Sequence, residues 1–298
     1  MAGVKEIKAR IEGVSETRKI TNAMYLVAST KLRHAREALS HTLPYFDAMR
    51  RETGGIFRSA NLSESRYFVS EDGSVPKEGV CGVLVITADK GLAGSYNMNA
   101  IRRTEEILSE QPDARLFVVG EFGRRHFQMR RIPFERDFYY TAQDPTLDRA
   151  RTICTRLLDL YDRGELNEII AVYTDMQSSL SSTAQKTRLL PLERAILTTG
   201  GTGEQEARFA FYPSTQAVVA SIMRSYISGF FYSAMVDSFC CEQNARVTAM
   251  DSAGRNADEL LSTLSLQLNR ERQSAITQEI TEISAGARAQ KNKREVSS

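Results

Sequence analysis

The sequence predicts an α/β domain carried between two long helices that pair with each other as an antiparallel coiled coil. Three observations predict it. From Pro213 to the C-terminus no further proline occurs, and apolar residues there recur at three- and four-residue steps. The first forty residues carry a second, narrower helical stripe. Between the two, from Val80 to about Leu192, short continuous apolar runs alternate with amphipathic stretches, the grammar of a mainly parallel sheet covered by helices.

The N-terminal stripe is Ile7, Ile11, Val14, Thr21, Met24, Ala28, Leu32, Ala35 and Leu39. It is too narrow, and too rich in small residues, for a broad core face, and it suits a coiled-coil seam. Pro44 is expected to kink or end this helix, because proline removes a helical hydrogen bond and crowds the preceding turn. Helix is expected to resume through Tyr45–Phe57. Ser59–Gly79, with its Ser, Glu, Gly and Pro, reads as an irregular connection.

The middle region opens with the run Val83–Thr87, the glycine turn Gly91-Leu92-Ala93-Gly94 and a helix from Asn97 to Ser109. A second strand, Leu116–Val119, is followed by helical Phe122–Arg130 and by a weaker extended piece beginning at Ile132-Pro133-Phe134. Thr146–Tyr161 is an amphipathic helix, and Ile169–Tyr173 a third buried strand. Gln185–Leu192 is a fourth strand, placed at an edge because Pro191 has no N–H for a central ladder. Thr198–Glu204 is a Gly- and Thr-rich loop, and Phe209–Pro213 closes the domain.

The heart of the last helix, Cys241–Gln290, has its stripe at Val247, Met250, Ala253, Ala257, Leu260, Leu264 and Leu268, then Ile276, Ile280, Ile283 and Ala287. One polar run, Asn269–Gln273, interrupts it. At about 1.5 Å per residue this alone is a rod of roughly 75 Å, longer than a compact domain buries within itself. The expected organisation is therefore an N-terminal helix over 1–58, a connection over 59–79, a Rossmann-like α/β domain over 80–212 and a long C-terminal helix over 213–298.

Composition excludes several classes. With 298 residues, 42% apolar and 26% charged, the chain is an ordinary globular sequence rather than a disordered one. Its net charge of +2 gives no reason to expect a nucleic-acid partner. Residues 1–60 concentrate charge, with 11 Lys and Arg against 6 acids, a net +5. Such an arm either meets an acidic partner or is a solvated helix face. Cys81, Cys154, Cys240 and Cys241 form no zinc-like spacing and are expected to be reduced thiols. No apolar run approaches the ~20 residues of a membrane span and no signal region opens the chain, so any work at a membrane is expected to go through a partner.

No metal, cofactor or catalytic constellation is expected. The turn Asp89–Ser95 sits where α/β folds place phosphate loops, but it matches neither G-x-x-x-x-G-K-[ST] nor G-x-G-x-x-G. Its two glycines are explained by a tight strand-to-helix connection. His34, His41 and His126 lack companion ligands, and no G-x-S-x-G or H-E-x-x-H occurs. More informative is the polar lapse, where Arg270, Glu271, Arg272, Gln273, Thr277 and Gln278 cluster. It is either a solvated turn or a belt gripping a surrounding partner, with Arg272 able to fork onto carboxylates.

At these residues the chain resembles the γ subunits of F-type ATP synthases, the rotating central shaft. One block is IKARIEGVSETRKITNAMYLVASTKLRHA, with Thr17, Lys19-Ile20-Thr21, Ala23-Met24, Val27-Ala28 and Lys31-Leu32 placed as in the family. The turn VITADKGLAGSYN is similar, with Ala93 where cysteine is frequent. The C-terminal block repeats the family order at Arg246, Ala249-Met250, Asn256-Ala257, Leu264, Asn269, Arg272-Gln273 and Ile276–Glu279.

The resemblance implies a coiled coil inside a hexamer of α and β subunits, with the α/β domain on a membrane ring of c subunits and beside the ε subunit. Ion flow turns ring and shaft, and nucleotide chemistry stays with the β subunits. It implies hexamer contacts at Arg272, Gln273 and Thr277, and at Lys19, Met24 and Arg36. It also implies ring or ε contacts at Tyr212 and Ser214, in a segment lacking the acid the family usually carries between Tyr and Pro. Asn22 stands where lysine is usual, and the dithiol insert of chloroplast γ subunits is absent. A bacterial protein at the cytoplasmic face of the plasma membrane is expected. Two other readings remain at this stage: a coiled-coil scaffold that does not turn, and a nucleotide-binding enzyme using the Asp89–Ser95 turn.

Overall fold

The computed structural model describes residues 2–59, 66–69, 78–178, 181–193, 212 and 214–296. Most of the 59–79 connection, all of Thr198–Glu204 and most of Phe209–Pro213 lie outside the described residues. In order, the elements are α1 (Ala2–Ser59), β1 (Val80–Ile86), α2 (Tyr96–Glu110), β2 (Arg115–Val119), α3 (Glu121–Met129), α4 (Leu147–Asp162), β3 (Leu166–Met176), β4 (Ser182–Leu190) and α5 (Thr215–Val296). The chain forms two compact units, Ala28–Arg246 and Met1–Val27 with Val247–Ser298. Among the described residues no helix is long and apolar enough to cross a membrane.

In the unit Ala28–Arg246 the strands lie in the order β2-β1-β3-β4. β1 is parallel to β2 and to β3, and β4 closes the sheet antiparallel to β3. Continuous apolar strands are explained by cover on both faces. Leu84, Ile86, Phe117, Val119 and Ala171 face a core shared with α4 and the start of α5, including Leu157, Tyr161, Met223 and Phe231. The alternate residues Val83, Val85, Leu116, Val118 and Val172 face Ala100, Ile101, Ile107 and Phe127 of α2 and α3. β4 stops at Leu190, directly before Pro191, and takes the edge that proline requires. Helix α4 starts where Thr146 Oγ1 accepts from the Arg149 N–H at 3.3 Å, an N-cap.

Two local expectations change. Ile132–Phe134 does not begin a strand. The segment is held by single bonds, Glu135 N to the Leu116 oxygen and Gly120 N to the Tyr140 oxygen. Pro44 does not end its helix, since α1 runs unbroken from Ala2 to Ser59. Just past it, the buried ring of Phe46 packs on Tyr226 and Phe230 of α5, with both ring centroids at 5.6 Å. That packing opposes a loss of about 3 kcal/mol for an interior proline, and Ser40, whose carbonyl loses its helical donor, is exposed to water.

In the unit Met1–Val27 with Val247–Ser298, α1 and α5 form the antiparallel coiled coil. Met250, Ala257 and Leu264, spaced by sevens, are buried, as is Ile7. Leu260 stands 42% exposed, so the seam passes through its partly buried neighbour Leu261 instead. Arg18 pairs with Asp258 across the helices. Both helices rise equally per residue, so α1 runs out opposite about residue 274 of α5. Among the described residues no part of α1 lies opposite the next stretch of α5, on the order of 30 Å long, and Ile276, Ile280 and Ile283 there are each more than half exposed.

Candidate functional site

The glycine turn is built from inside the fold. Asp89 accepts hydrogen bonds from the backbone N–H groups of Glu121 (3.0 Å), Ala142 (3.2 Å) and Gln143 (3.3 Å), and from the Thr141 hydroxyl. Its carboxylate thereby ties the loops after β1 and β2 together. Leu92 and Gly94 both take positive φ, 63° and 53°, which turns the chain sharply into α2. Asn97 Oδ1 accepts from Ala88 N at 2.8 Å.

In a sheet of this order the ligand crevice lies at the strands' C-terminal ends between β1 and β3, where the connections diverge. Here α5 fills it. Arg246 Nη2 donates to the carbonyl oxygens of Gly91 (3.0 Å) and Lys90 (3.4 Å), while Nη1 donates to Glu242 Oε1 at 2.6 Å. Cys241 packs with Ala88, Ala93 and Tyr96, with Met176 and Ala245 beside them. Burial raises the Glu242 carboxyl above its ordinary range and Arg246 draws it back. Burial, then the Glu242 charge, holds Tyr96 well above the usual phenol value. The turn that resembled a phosphate loop offers its carbonyl oxygens to an internal guanidinium, and the positive φ of Gly94 accounts for that glycine. An open hollow of about 710 Å³ lies beside it, lined by Lys90, Phe122, Arg125, His126, Met129 and Tyr139. The two acids there are committed, Asp89 as described and Glu121 to Arg125 at 2.9 Å.

The polar lapse in the last helix behaves differently. α5 is unbroken through it, and Arg270, Glu271, Arg272, Gln273, Thr277 and Gln278 are all exposed. Thr277 Oγ1 donates to the Gln273 carbonyl at 2.9 Å, and Gln278 Nε2 to Glu282 at 2.9 Å. Among the described residues Arg272 has no ion-pair partner, so its guanidinium is available to another chain. Arg272, Gln273 and Thr277 are brought together on about one and a half turns of helix.

The remaining sites divide between the units. Lys19 is exposed and Met24 partly buried on α1, in the unit that also holds Arg272. Arg36 belongs to the other unit, where its Nη2 reaches Asn244 Oδ1 at 3.4 Å. Tyr212 is 91% exposed. Ser214 has an internal duty: its Oγ accepts from Ala217 N at 3.2 Å and its carbonyl from Val218 N at 3.1 Å, which caps the start of α5.

Sequence reasoning missed the hub at Asp89, the buried Glu242–Arg246 pair and the exposed aliphatics of α1, Ile20, Leu26 and Val27. The i,i+4 spacing of Glu242 and Arg246 was the available signal for the pair. Nothing in the local pattern of Asp89 marks it as a hub, because its partners lie 32 to 54 residues away.

The fold and these faces define a class: a subunit whose α/β domain is threaded between two long helices that pair with each other. Residues 3–290 match the family profile described as ATP synthase. Over 297 aligned residues the chain is 39% identical to the ATP synthase gamma chain of Acetivibrio thermocellus, covering 98% of this chain and 100% of that one. The chain belongs to the ATP synthase gamma chain family. Solved structures agree on the fold. The rotor of Euglena gracilis mitochondrial ATP synthase in rotational state 1 aligns with TM-score 0.64 at 15% identity, over 92% of this chain and 99% of that one. The same organism's OSCP/F1/c-ring assembly in rotational state 3 gives 0.68 at 17% identity, over 97% and 94%.

Proposed function

We propose that the chain is the central-stalk rotor that couples ion-driven rotation of a membrane c-ring to ATP synthesis or hydrolysis in a surrounding hexamer of α and β subunits. Membership of the gamma chain family supports the reading. The observation that carries it is the single-stranded end of α5. A row of isoleucines and a belt of exposed polar side chains stand bare on one helix, a surface that needs a partner to cover it. A surrounding hexamer supplies both apolar walls for Ile276, Ile280 and Ile283 and carboxylates for Arg272.

In this reading Arg272, Gln273, Thr277, Lys19, Met24 and Arg36 meet the hexamer. Tyr212 and Ser214 lie toward the c-ring and ε, with Tyr212 the side chain free to reach them. The subunit is non-catalytic, because its crevice is filled by Arg246 and Cys241, and nucleotide chemistry stays with the β subunits. It works at the cytoplasmic face of a bacterial plasma membrane and touches the membrane only through the ring.

The test is reconstitution with α and β subunits and a bead attached to the α/β domain. ATP-driven rotation of the bead is expected. A complex that assembles and hydrolyses ATP while the bead stays still would replace the rotor with a static scaffold. Measurable ATP binding by the isolated chain would return the Asp89–Ser95 turn to consideration as a nucleotide site.

A further inference from the structure

The bare apolar residues of α5 share one face of the helix. Leu266, Ile276, Ile280 and Ile283 are each more than half exposed. Together with Asn269, Gln273 and Ala287, which are exposed too, they fall at alternating three- and four-residue steps. That is a heptad pattern three repeats long, the spacing of a coiled-coil seam. Helix α5 is unbroken through all of it. The seam toward α1 is a different face, made by Ala257, Leu261, Leu264 and Leu268, all buried or half-buried. Leu266 lies two residues beyond Leu264, about 200° around the helix. The second stripe is therefore left open even at the level where α1 runs alongside.

We propose that the free chain pairs through this stripe with a second copy of itself, as a parallel, in-register coiled coil over residues 266–287. The polar layers and the flanking charges select that partner and that orientation. In the parallel pair each residue meets its own counterpart. Asn269 and Gln273 then form amide-to-amide layers in which donors find acceptors, and isoleucine stacks on isoleucine. An antiparallel pair that sets Ile280 against Ile283 brings the two Glu279 carboxylates side by side. Sliding it by one heptad parts them, but it sets Gln273 against Ile283 or leaves Ile276 with no apolar residue opposite. The parallel pair avoids both conflicts. Its flanking positions place Arg270 beside Ser265, Arg272 beside Thr277 and Glu279 beside Ser284, so like charges do not face each other. A seam this short, with polar layers in it, pairs weakly, so the dilute chain is a monomer. The pairing rests on α5 alone and not on the rotor reading. A hexamer that covers the same isoleucines excludes it, so it belongs to the chain outside a complex.

Sedimentation of the full-length chain over a wide range of concentration reads the pairing. The average mass is expected to climb from that of one chain toward twofold and to stop there. Ile280→Lys, at an exposed position that leaves the fold alone, sets two ammonium groups in one layer and should hold the mass of one chain throughout. Gln273→Cys brings thiols face to face only in the parallel register, and on oxidation it should give a disulfide-linked dimer. Ala285→Cys, on the other side of the helix, should not. The four native thiols are buried and stay out of the reaction. A wild type that keeps the mass of one chain at every concentration overturns the proposal, and so does Ile280→Lys associating like the wild type. Growth past twofold mass, or a Gln273→Cys cross-link no more abundant than that of Ala285→Cys, overturns the parallel pair.

Discussion

Arg246 and Gly91 are 155 residues apart in the chain and 3.0 Å apart in space, guanidinium to carbonyl oxygen. That bond joins the long helix to the first turn of the α/β domain. The same guanidinium holds Glu242, whose side chain is 4% exposed, so the joint has a buried charge at its centre.

Removing Arg246 leaves that carboxylate buried without its partner. Arg246→Ala should cost about 3–5 kcal/mol in urea unfolding of the isolated chain. Adding Glu242→Gln should recover part of the loss, because the unpaired charge goes with it. A single-variant loss within experimental error would mean the pair is not a structural anchor.

At Gly120 the constraint is steric. Its φ is +95°, and a Cβ there would stand 2.1 Å from the Thr87 carbonyl oxygen. Thr87 is fixed in turn, since its hydroxyl donates to the Val119 oxygen and accepts from Gly123 N, both at 3.0 Å. Gly120→Ala should therefore cost more than about 2 kcal/mol, read as a lowered denaturation midpoint.

Two leucines on the same stretch of α5 should respond oppositely. Leu264 is 4% exposed and Leu266 60% exposed. Leu264→Ala should cost about 2–4 kcal/mol, while Leu266→Ala should stay within about 0.5 kcal/mol. Loss of helical circular dichroism on heating distinguishes them.

For the exposed belt the prediction separates folding from assembly. Arg272→Ala and Gln273→Ala should leave the isolated chain's stability within about 0.5 kcal/mol. In complexes reconstituted with α and β subunits they should weaken assembly or ion-coupled ATP synthesis far more than Lys90→Ala and Ser95→Ala. Equal, small effects would make the belt a solvated turn.

The thiols supply a pH prediction. Burial raises Cys81 and Cys154 to about 12 and Cys240 to about 11. The reactive species is the thiolate, so at pH 8 the native chain should react with iodoacetamide much more slowly than the denatured chain. Because these folded values lie above the unfolded ones, the thiols' contribution to stability is intact below about pH 8.5 and declines in stronger alkali. Rapid native labelling at pH 8 would contradict this.

Much of the fold was legible because it is written locally. Val83–Thr87 and Leu116–Val119 read as buried strands since both of their faces are covered, and Pro191 marked the edge. What was not legible depends on residues far away. Pro44 reads as a kink or an end, and that it does not end the helix goes with Tyr226 and Phe230 being brought to Phe46. Ile276, Ile280 and Ile283 have the same spacing as the buried seam, and only the register set by Arg18 and Asp258 shows that their partner helix has run out. At the candidate site the exposure of Arg272 followed from the polar lapse in the stripe, whereas the occupation of the glycine turn by Arg246 required the three-dimensional path of α5.

The bare end of α5 has a bearing on how the protein is made. A newly synthesised chain carries Ile276, Ile280 and Ile283 into water on one face of a lone helix, where other copies of itself are the nearest apolar surface. Overproduction without companions should favour self-association through this tip, and, with α and β subunits enclosing it as proposed, matched output of those subunits should suppress it. In the proposed reading, the feature that suits the helix to a close-fitting surround thus also ties its safe production to the supply of that surround.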